Sequence, residues 1–285
     1  MKTGFIGLGA MGAPMARHLH ARGLLTAVGS RTQDKADALA AELGVRAARS
    51  AQNFADCDVV ALCVPLDADV LENVAGLADV LRPGTVVIDH STVSAETARR
   101  AAAMCAEHGI GFIDAPVSGG VEGARNGKLS VMAGGDEAVL EKVRPILECY
   151  AARISHMGGT GAGQATKAVN QVLVAGINEA VCEGLALGEK LGLDAARLLP
   201  TLMAGAAANW FLDKRGATML QGEFTPGFKN AHMLKDLRIV QAMAQSAGIR
   251  TTVIDQALAD YSELVQERGL GEADTSALIA LKRAR

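Results

Sequence analysis

Up to Met157, short apolar runs alternate with segments of helical character, separated by glycine-rich and polar breaks. Thr3 to Ile6 is an apolar strand, and Ala13 to His20 continues as a helix. Leu25 to Val28 is a second strand, followed by a helix from about Asp34 to Leu43. Val59 to Val64 is an unbroken apolar run, the pattern of a strand buried on both faces of a parallel sheet, and Thr85 to Asp89 is another buried strand. Ser94 caps a helix that runs to Glu107 and stops at Gly109. Phe112 with Ile113, Leu129 to Ala133 and Ile154 to Met157 supply the remaining strands, with a helix from Asp136 to Tyr150 that Pro145 breaks or offsets. From Gln164 to Leu191 the pattern becomes one helix, roughly 42 Å long at the usual rise per residue. It is apolar or small almost all round, so most of its sides must be covered. Shorter helices follow, from a cap at Asp194 to Lys282, with Trp210 and Phe211 read as core and Phe224 to Phe228 as a break.

Composition narrows the function classes. With 285 residues, 49% of them hydrophobic, the chain has material for two cores. A net charge of −3 from 28 basic and 31 acidic residues, well mixed, gives no field to gather nucleic acid or an anionic membrane. The only basic stretch is the Lys-Arg-Ala-Arg end. Glu179 and Glu183 interrupt the most apolar helix, so no membrane span is expected. Gly4, Gly7, Gly9 and Gly12 make the N-terminus a poor signal-peptide core. Cys57, Cys63, Cys105, Cys149 and Cys182 form no C-x-x-C pair, which fits a reducing cytosol and a cytoplasmic protein. The histidines and acids show no metal-ligand spacing, and no G-x-S-x-G of a serine hydrolase occurs.

The chemistry starts at Gly7-Leu8-Gly9-Ala10-Met11-Gly12, a G-x-G-x-x-G set between a strand and a helix. In such a turn the first glycine permits the tight bend, the second lets a pyrophosphate approach backbone, and the third lets helix pack on strand. The fold expected is therefore α/β, a doubly wound and mostly parallel Rossmann domain over residues 1–162, then an all-helical domain over 163–285 led by the long helix. After the second strand come Ser30, Arg31 and Thr32, an arginine flanked by hydroxyls, which suits the 2′-phosphate of NADP. Asp34 stands close enough to take the place of the ribose-binding acid, which keeps NAD open. Val64-Pro65 and His90-Ser91-Thr92 end strands on the carboxyl edge, where the ligand crevice belongs. His90 has no partner placed by sequence and reads as a structural histidine. Ser118-Gly119-Gly120 is either a concave set of N–H groups able to hold a carboxylate or an ordinary loop. Gly161 to Gln171 turns from glycine loop into helix with Lys167 and Asn170 three apart, hence on one face. A lysine in the first helical turn is pushed toward its neutral form by the helix dipole and by burial, as proton exchange with a hydroxyl or carbonyl requires. The alternative is a solvated lysine beside a polar asparagine. Lys235-Asp236 reads as a surface charge pair.

Four ordered stretches, GLGAMGAPM at 7–15, DAPVSGG at 114–120, GAGQATKAVNQ at 161–171 and KDL at 235–237, resemble the β-hydroxyacid dehydrogenase family over essentially the whole chain. The resemblance implies an oxidoreductase that interconverts a small 3-hydroxy acid and its semialdehyde with NADP. It implies Lys167 as the catalytic lysine, Asn170 as a substrate contact, and Ser118, Gly119 and Gly120 as holders of the substrate carboxylate. Thr92, Val64, Pro65 and Lys235 are implied to touch cofactor, and the assembly to be a homodimer or homotetramer. Reduction of glyoxylate or succinic semialdehyde, and a non-catalytic NADP-binding protein, are the alternatives. 6-Phosphogluconate dehydrogenases carry a histidine where this chain has Val169, and imine reductases generally lack the lysine.

Overall fold

Runs of valine, isoleucine and leucine set the strands, and the order in which they pair sets where a ligand can sit. The computed structural model describes residues 1–283; Ala284 and Arg285, which end the basic stretch, lie outside them. The chain divides into two compact units, Met1–Lys167 and Ala168–Arg285.

In the first unit the elements run β1 (Thr3–Ile6), α1 (Gly12–Ala21), β2 (Leu25–Gly29), α2 (Gln33–Leu43), β3 (Arg46–Ala48), β4 (Val59–Leu62), α3 (Asp67–Ala78), β5 (Val86–Asp89), α4 (Ala95–Glu107) and β6 (Gly111–Asp114). They continue with β7 (Val117–Ser118), α5 (Gly120–Arg125), β8 (Leu129–Gly135), α6 (Glu137–Leu147) and β9 (Ala151–Gly158). Strands β3, β2, β1, β4, β5 and β6 lie side by side in parallel. β6 and β7 pair with the same edge of β8 in one antiparallel register, interrupted at Ala115-Pro116, and β9 pairs with β8 in parallel. Side chains alternate between the two faces, as strand geometry requires. Phe5, Val59, Ala61, Val86 and Ile88 pack with α1, α2 and α6 on one side. Ile6, Val60, Leu62 and Val87 pack with α3 and α4 on the other. With β2 on one side of β1 and β4 on the other, the chain direction reverses at β1, and the crevice of such a sheet opens at the carboxyl ends there.

Caps and stops follow the residue chemistry. Ser94 Oγ accepts the Thr97 N–H at 3.0 Å and Asp136 Oδ1 that of Val139 at 3.0 Å. Gly44 ends α2 in the left-handed conformation. Pro145 is accommodated inside α6 without breaking it. Four elements fall outside the expected set: β3, α3, β7 and α5. β3 has only three residues, the first of them Arg46, and owes its strand geometry to pairing with β2. α5 reads as a glycine loop and becomes helical because Gly119, at φ +126°, turns the chain into it.

α7 (Ala162–Lys190) begins in the first unit and supplies the spine of the second. The second unit adds α8 (Ala195–Met203), α9 (Trp210–Leu220), α10 (Asn230–Ser246), α11 (Thr252–Gln266) and α12 (Ile279–Arg283). Ala175, Cys182 and Leu185 of α7 share one core with Phe211, Met233, Leu237, Tyr261 and Ile279. Trp210 departs from the core reading: it is 54% exposed, with the Arg215 guanidinium 5.4 Å from its ring centre. Asp274, 1% exposed, accepts the N–H groups of Gly227, Phe228 and Ser276 and pairs with Arg215, tying the segment before α10 to the C-terminal turn.

Lys282 bridges Glu179 of α7, at 2.7 Å, and Asp260 of α11, all three largely buried. Burial pushes Glu179 up to about 7, and the two carboxylates lift Lys282 to about 12. Removing the one cation leaves two carboxylates facing each other away from water, so Lys282→Met is expected to lower the unfolding free energy by about 3–5 kcal/mol at pH 8, measured by urea denaturation.

Candidate active site

The glycine turn after β1 meets the demands of a dinucleotide site position by position. Gly7 has φ +100°, and a Cβ there would lie 2.2 Å from the Cys63 carbonyl oxygen. A Cβ at Gly12 would lie 1.9 Å from the Gly7 carbonyl oxygen, so only glycine lets α1 start this close to β1. A Cβ at Gly9 would meet nothing within 4 Å: this backbone faces open space, as approach by a pyrophosphate needs. Leu8 is buried in the core, and Ala10 and Met11 complete the turn into α1. The residues present therefore fit a dinucleotide.

The neighbouring strand ends are stitched together at the same edge. Gly7 donates to Gly29 O at 2.9 Å, Cys63 to Ile6 O at 2.8 Å, and Val64 to Ser91 Oγ at 2.9 Å. These bonds place Ser30, Val64 and Thr92 next to the turn, with Pro65 exposed beyond. Arg31 is exposed and pairs with Asp69 of α3 at 3.2 Å; Thr32 donates its N–H to Ser30 Oγ at 3.2 Å.

His90 faces away from this chemistry. Fully buried, it sits 2.7 Å from Ala115 O through Nδ1 and 2.8 Å from the Tyr150 hydroxyl through Nε2. The carbonyl can only accept, so Nδ1 carries the proton and Nε2 accepts from the tyrosine. Burial lowers its pKa to about 4, as befits a neutral structural histidine.

The carboxyl end of β6 meets the start of α7 at Asp114. Its Oδ1 accepts the Gly161 N–H at 2.8 Å and Oδ2 that of Gln164 at 2.9 Å. Burial raises the Asp114 pKa, and these N–H donors oppose the rise. The approach is close because Gly134 and Gly163 have no side chains. A Cβ on Gly134 would lie 2.6 Å from Asp114 Oδ1, and one on Gly163 2.4 Å from Met132 O. Gln164 adds bonds to Ser91 O at 2.8 Å and from the Val93 N–H at 3.2 Å, so the loop around Thr92 is fixed to the same helix end. One turn along α7, Lys167 is 8% exposed and donates from Nζ to Val117 O at 2.9 Å. The amine therefore lies beside Ser118, with Gly119 and Gly120 both at positive φ in the turn that follows.

In the second unit Asn170 and Lys235 hang on one carboxylate. Asn170 Nδ2 donates to Gln171 Oε1 at 2.8 Å, Gln171 Nε2 to Asp236 Oδ2 at 2.7 Å, and Lys235 Nζ lies 2.9 Å from Asp236 Oδ1. Asp236 is 3% exposed, so the surface-pair reading of Lys235-Asp236 gives way to a buried one. Sequence reading missed Asp114, Gln164, Gln171 and Asp236. The available signal was an acid closing the apolar strand Gly111–Asp114 and amides repeating along a helix otherwise poor in polar groups.

A Rossmann sheet with this glycine turn defines a dinucleotide-binding protein. Residues 2–159 match the NAD binding domain of 6-phosphogluconate dehydrogenase, and residues 161–282 match the domain described as NAD-binding of NADP-dependent 3-hydroxyisobutyrate dehydrogenase. The chain is 38% identical to 2-hydroxy-3-oxopropionate reductase of Escherichia coli (strain K12), over 87% of this chain and 86% of that protein. It is 37% identical to NAD-dependent L-serine dehydrogenase of Pseudomonas aeruginosa, over 95% and 94%. The structure of Mycobacterium tuberculosis 3-hydroxyisobutyrate dehydrogenase with L-serine matches with a TM-score of 0.90 at 34% identity, covering 99% of both chains. The chain belongs to the β-hydroxyacid dehydrogenase family and is an NAD(P)-dependent hydroxyacid dehydrogenase of the 3-hydroxyisobutyrate dehydrogenase type.

Asp89 and His90 are adjacent, both fully buried, and oppose each other in pH dependence. Burial raises Asp89 to about 7. Its contribution is thus fully present below its unfolded pKa near 4 and is lost as pH rises toward 7. The lowered histidine contributes above its unfolded value near 6.5 and loses that contribution as pH falls toward 4. Asp89→Asn is expected to remove the falling arm: the stability of the variant relative to wild type rises by a few kcal/mol, on the order of one per pH unit, between pH 4.5 and 6.5, measured by urea denaturation of both proteins at the same pH values.

Proposed function

We propose that the protein uses NADP to interconvert a small 3-hydroxy acid and its semialdehyde, as a 3-hydroxyisobutyrate dehydrogenase or 2-hydroxy-3-oxopropionate reductase does. The observation that carries this reading is the buried Lys167 amine 2.9 Å from Val117 O, beside Ser118 and two glycines at positive φ. Ser118, Gly119 and Gly120 hold the substrate carboxylate through hydroxyl and backbone N–H groups. Asn170 orients the reacting oxygen, and Lys167 gives a proton to that oxygen in reduction and takes it back in oxidation. When bound, the nicotinamide supplies or accepts the hydride. Gly7, Leu8, Gly9, Ala10, Met11 and Gly12 carry the pyrophosphate, with Val64, Pro65, Thr92 and Lys235 as further cofactor contacts. Ser30, Arg31 and Thr32 take the 2′-phosphate. The Arg31–Asp69 pair supports this, because the arginine side chain is 79% exposed and such a pair costs little to break in favour of a dianion. Five cysteines outside any disulfide support a cytoplasmic location.

Lys167→Ala is expected to lower kcat about 10²- to 10⁴-fold, roughly 3 to 5 kcal/mol of barrier, with the NADPH dissociation constant unchanged. The measurement is a panel of small semialdehydes and 3-hydroxy acids run with NADPH and NADH, where the lower KM belongs to NADPH. Near-normal turnover of the variant removes Lys167 from the mechanism, and tight NADPH binding with no turnover of any substrate identifies a non-catalytic binding protein.

We also infer a homodimer or homotetramer. Val169, Leu173 and Ile177 follow one another at four-residue spacing on α7 and are 61%, 62% and 39% exposed, an apolar stripe that favours a second copy over water. Light scattering coupled to size exclusion should give two or four chains per particle, and Leu173→Glu should shift the particle toward one chain; a monomeric wild type at micromolar concentration overturns the inference.

A further inference from the structure

The second unit holds a chain of polar groups whose order is dictated from one end. We propose that Asp236 and Gln171 are positioning residues that fix which end of the Asn170 side-chain amide faces the substrate, a role that rests on the substrate contact given to Asn170 above. A carboxylate has acceptor oxygens only. Asp236 uses one toward the Lys235 ammonium at 2.9 Å and the other toward Gln171 at 2.7 Å, in a setting where Asp236 is 3% and Gln171 2% exposed. Only the NH₂ end of Gln171 can face that oxygen, because its carbonyl there would set acceptor against acceptor. The Gln171 Oε1 must then point the other way, where it accepts Asn170 Nδ2 at 2.8 Å.

The Asn170 amide is consequently locked with its nitrogen toward Gln171 and its Oδ1 turned away. An asparagine amide is otherwise free to present either end, and half of those presentations would be wrong for any given substrate. Here the choice at two successive amides follows from one carboxylate two links away. The same carboxylate holds Lys235, so the residue proposed to touch substrate and the residue proposed to touch cofactor are oriented by a shared group. Asp236 and Gln171 need no contact with either ligand to act in this way.

Gln171→Met keeps the length of the side chain and the Asp236–Lys235 pair but removes both amide bonds. In this variant kcat/KM for the preferred semialdehyde should fall about tenfold while the NADPH dissociation constant stays within twofold of wild type. Asn170→Ala should cost at least fivefold less in the Gln171→Met background than in wild type, since the amide it removes is already misoriented. Asp236→Asn, which can offer either end of its own amide, should lower kcat/KM and also weaken NADPH binding through Lys235. A readout independent of turnover is ¹⁵N NMR of the apoprotein: the Asn170 side-chain amide resonance should move in both variants, and that of Gln171 in Asp236→Asn. Multiplicative, independent costs of Asn170→Ala and Gln171→Met, or an Asn170 amide signal unmoved in Asp236→Asn, overturn the proposal. If Gln171→Met does not fold, the NMR comparison in Asp236→Asn decides alone. A wild type that turns over no substrate of the panel defeats the functional reading and leaves the NMR result to judge this one.

Discussion

A helix start and a strand-end carboxylate solve each other's problem at Asp114, and the arrangement of the first unit's chemistry depends on that exchange. The opening N–H groups of α7 have no intrahelical acceptors, and buried unpaired donors cost free energy. A buried carboxylate costs more still unless donors surround it. Bonding Gly161 and Gln164 to Asp114 removes both penalties and sets a negative charge at the positive end of the helix. The contact distance is available only because Gly134 and Gly163 carry no Cβ, so three residues far apart in sequence are constrained together. Lys167 inherits its place from this junction: with the helix start fixed against β6 and β8, the turn that follows brings Nζ to Val117 O beside Ser118.

The second unit uses the same economy of buried charge. Asp274 and Asp236 each accept from several donors, and Glu179 and Asp260 share the Lys282 ammonium. A buried ion with one partner would give a poor return against desolvation, whereas one with several can fix the geometry of everything attached to it. Asp274 thereby orders the segment that leads into α10, and Asp236 on that helix orders Gln171. The apolar core of α7, α9, α10 and α11 supplies cohesion, and these few ions supply register.

Much of this was legible along the chain. Strand Val59–Leu62 was marked by an unbroken apolar run and Val86–Asp89 by its three leading apolar residues, because strands covered on both faces need them. The glycine turn was marked by its spacing between a strand and a helix, and the structure crowds it at Gly7 and Gly12, where a Cβ would clash with backbone. His90 was readable as structural for want of a partner, though Tyr150 could not be named. Among the elements that escaped, two take their geometry from neighbours: β3 from pairing with β2, and α5 from the turn at Gly119.

By itself the sequence determined most of the strands and helices, a glycine turn between β1 and α1 of the kind a dinucleotide site requires, and a lysine and an asparagine three apart on a long helix. These are properties of adjacent or periodic residues, set by local sterics and by the repeat of each element. Only the tertiary structure decided that Asp114 caps α7, that Lys167 reaches Val117, that Asp236 is buried, and that Trp210 is exposed. Each of those depends on residues dozens of positions apart meeting within bonding distance, and on the burial that makes a polar group choose one partner over water.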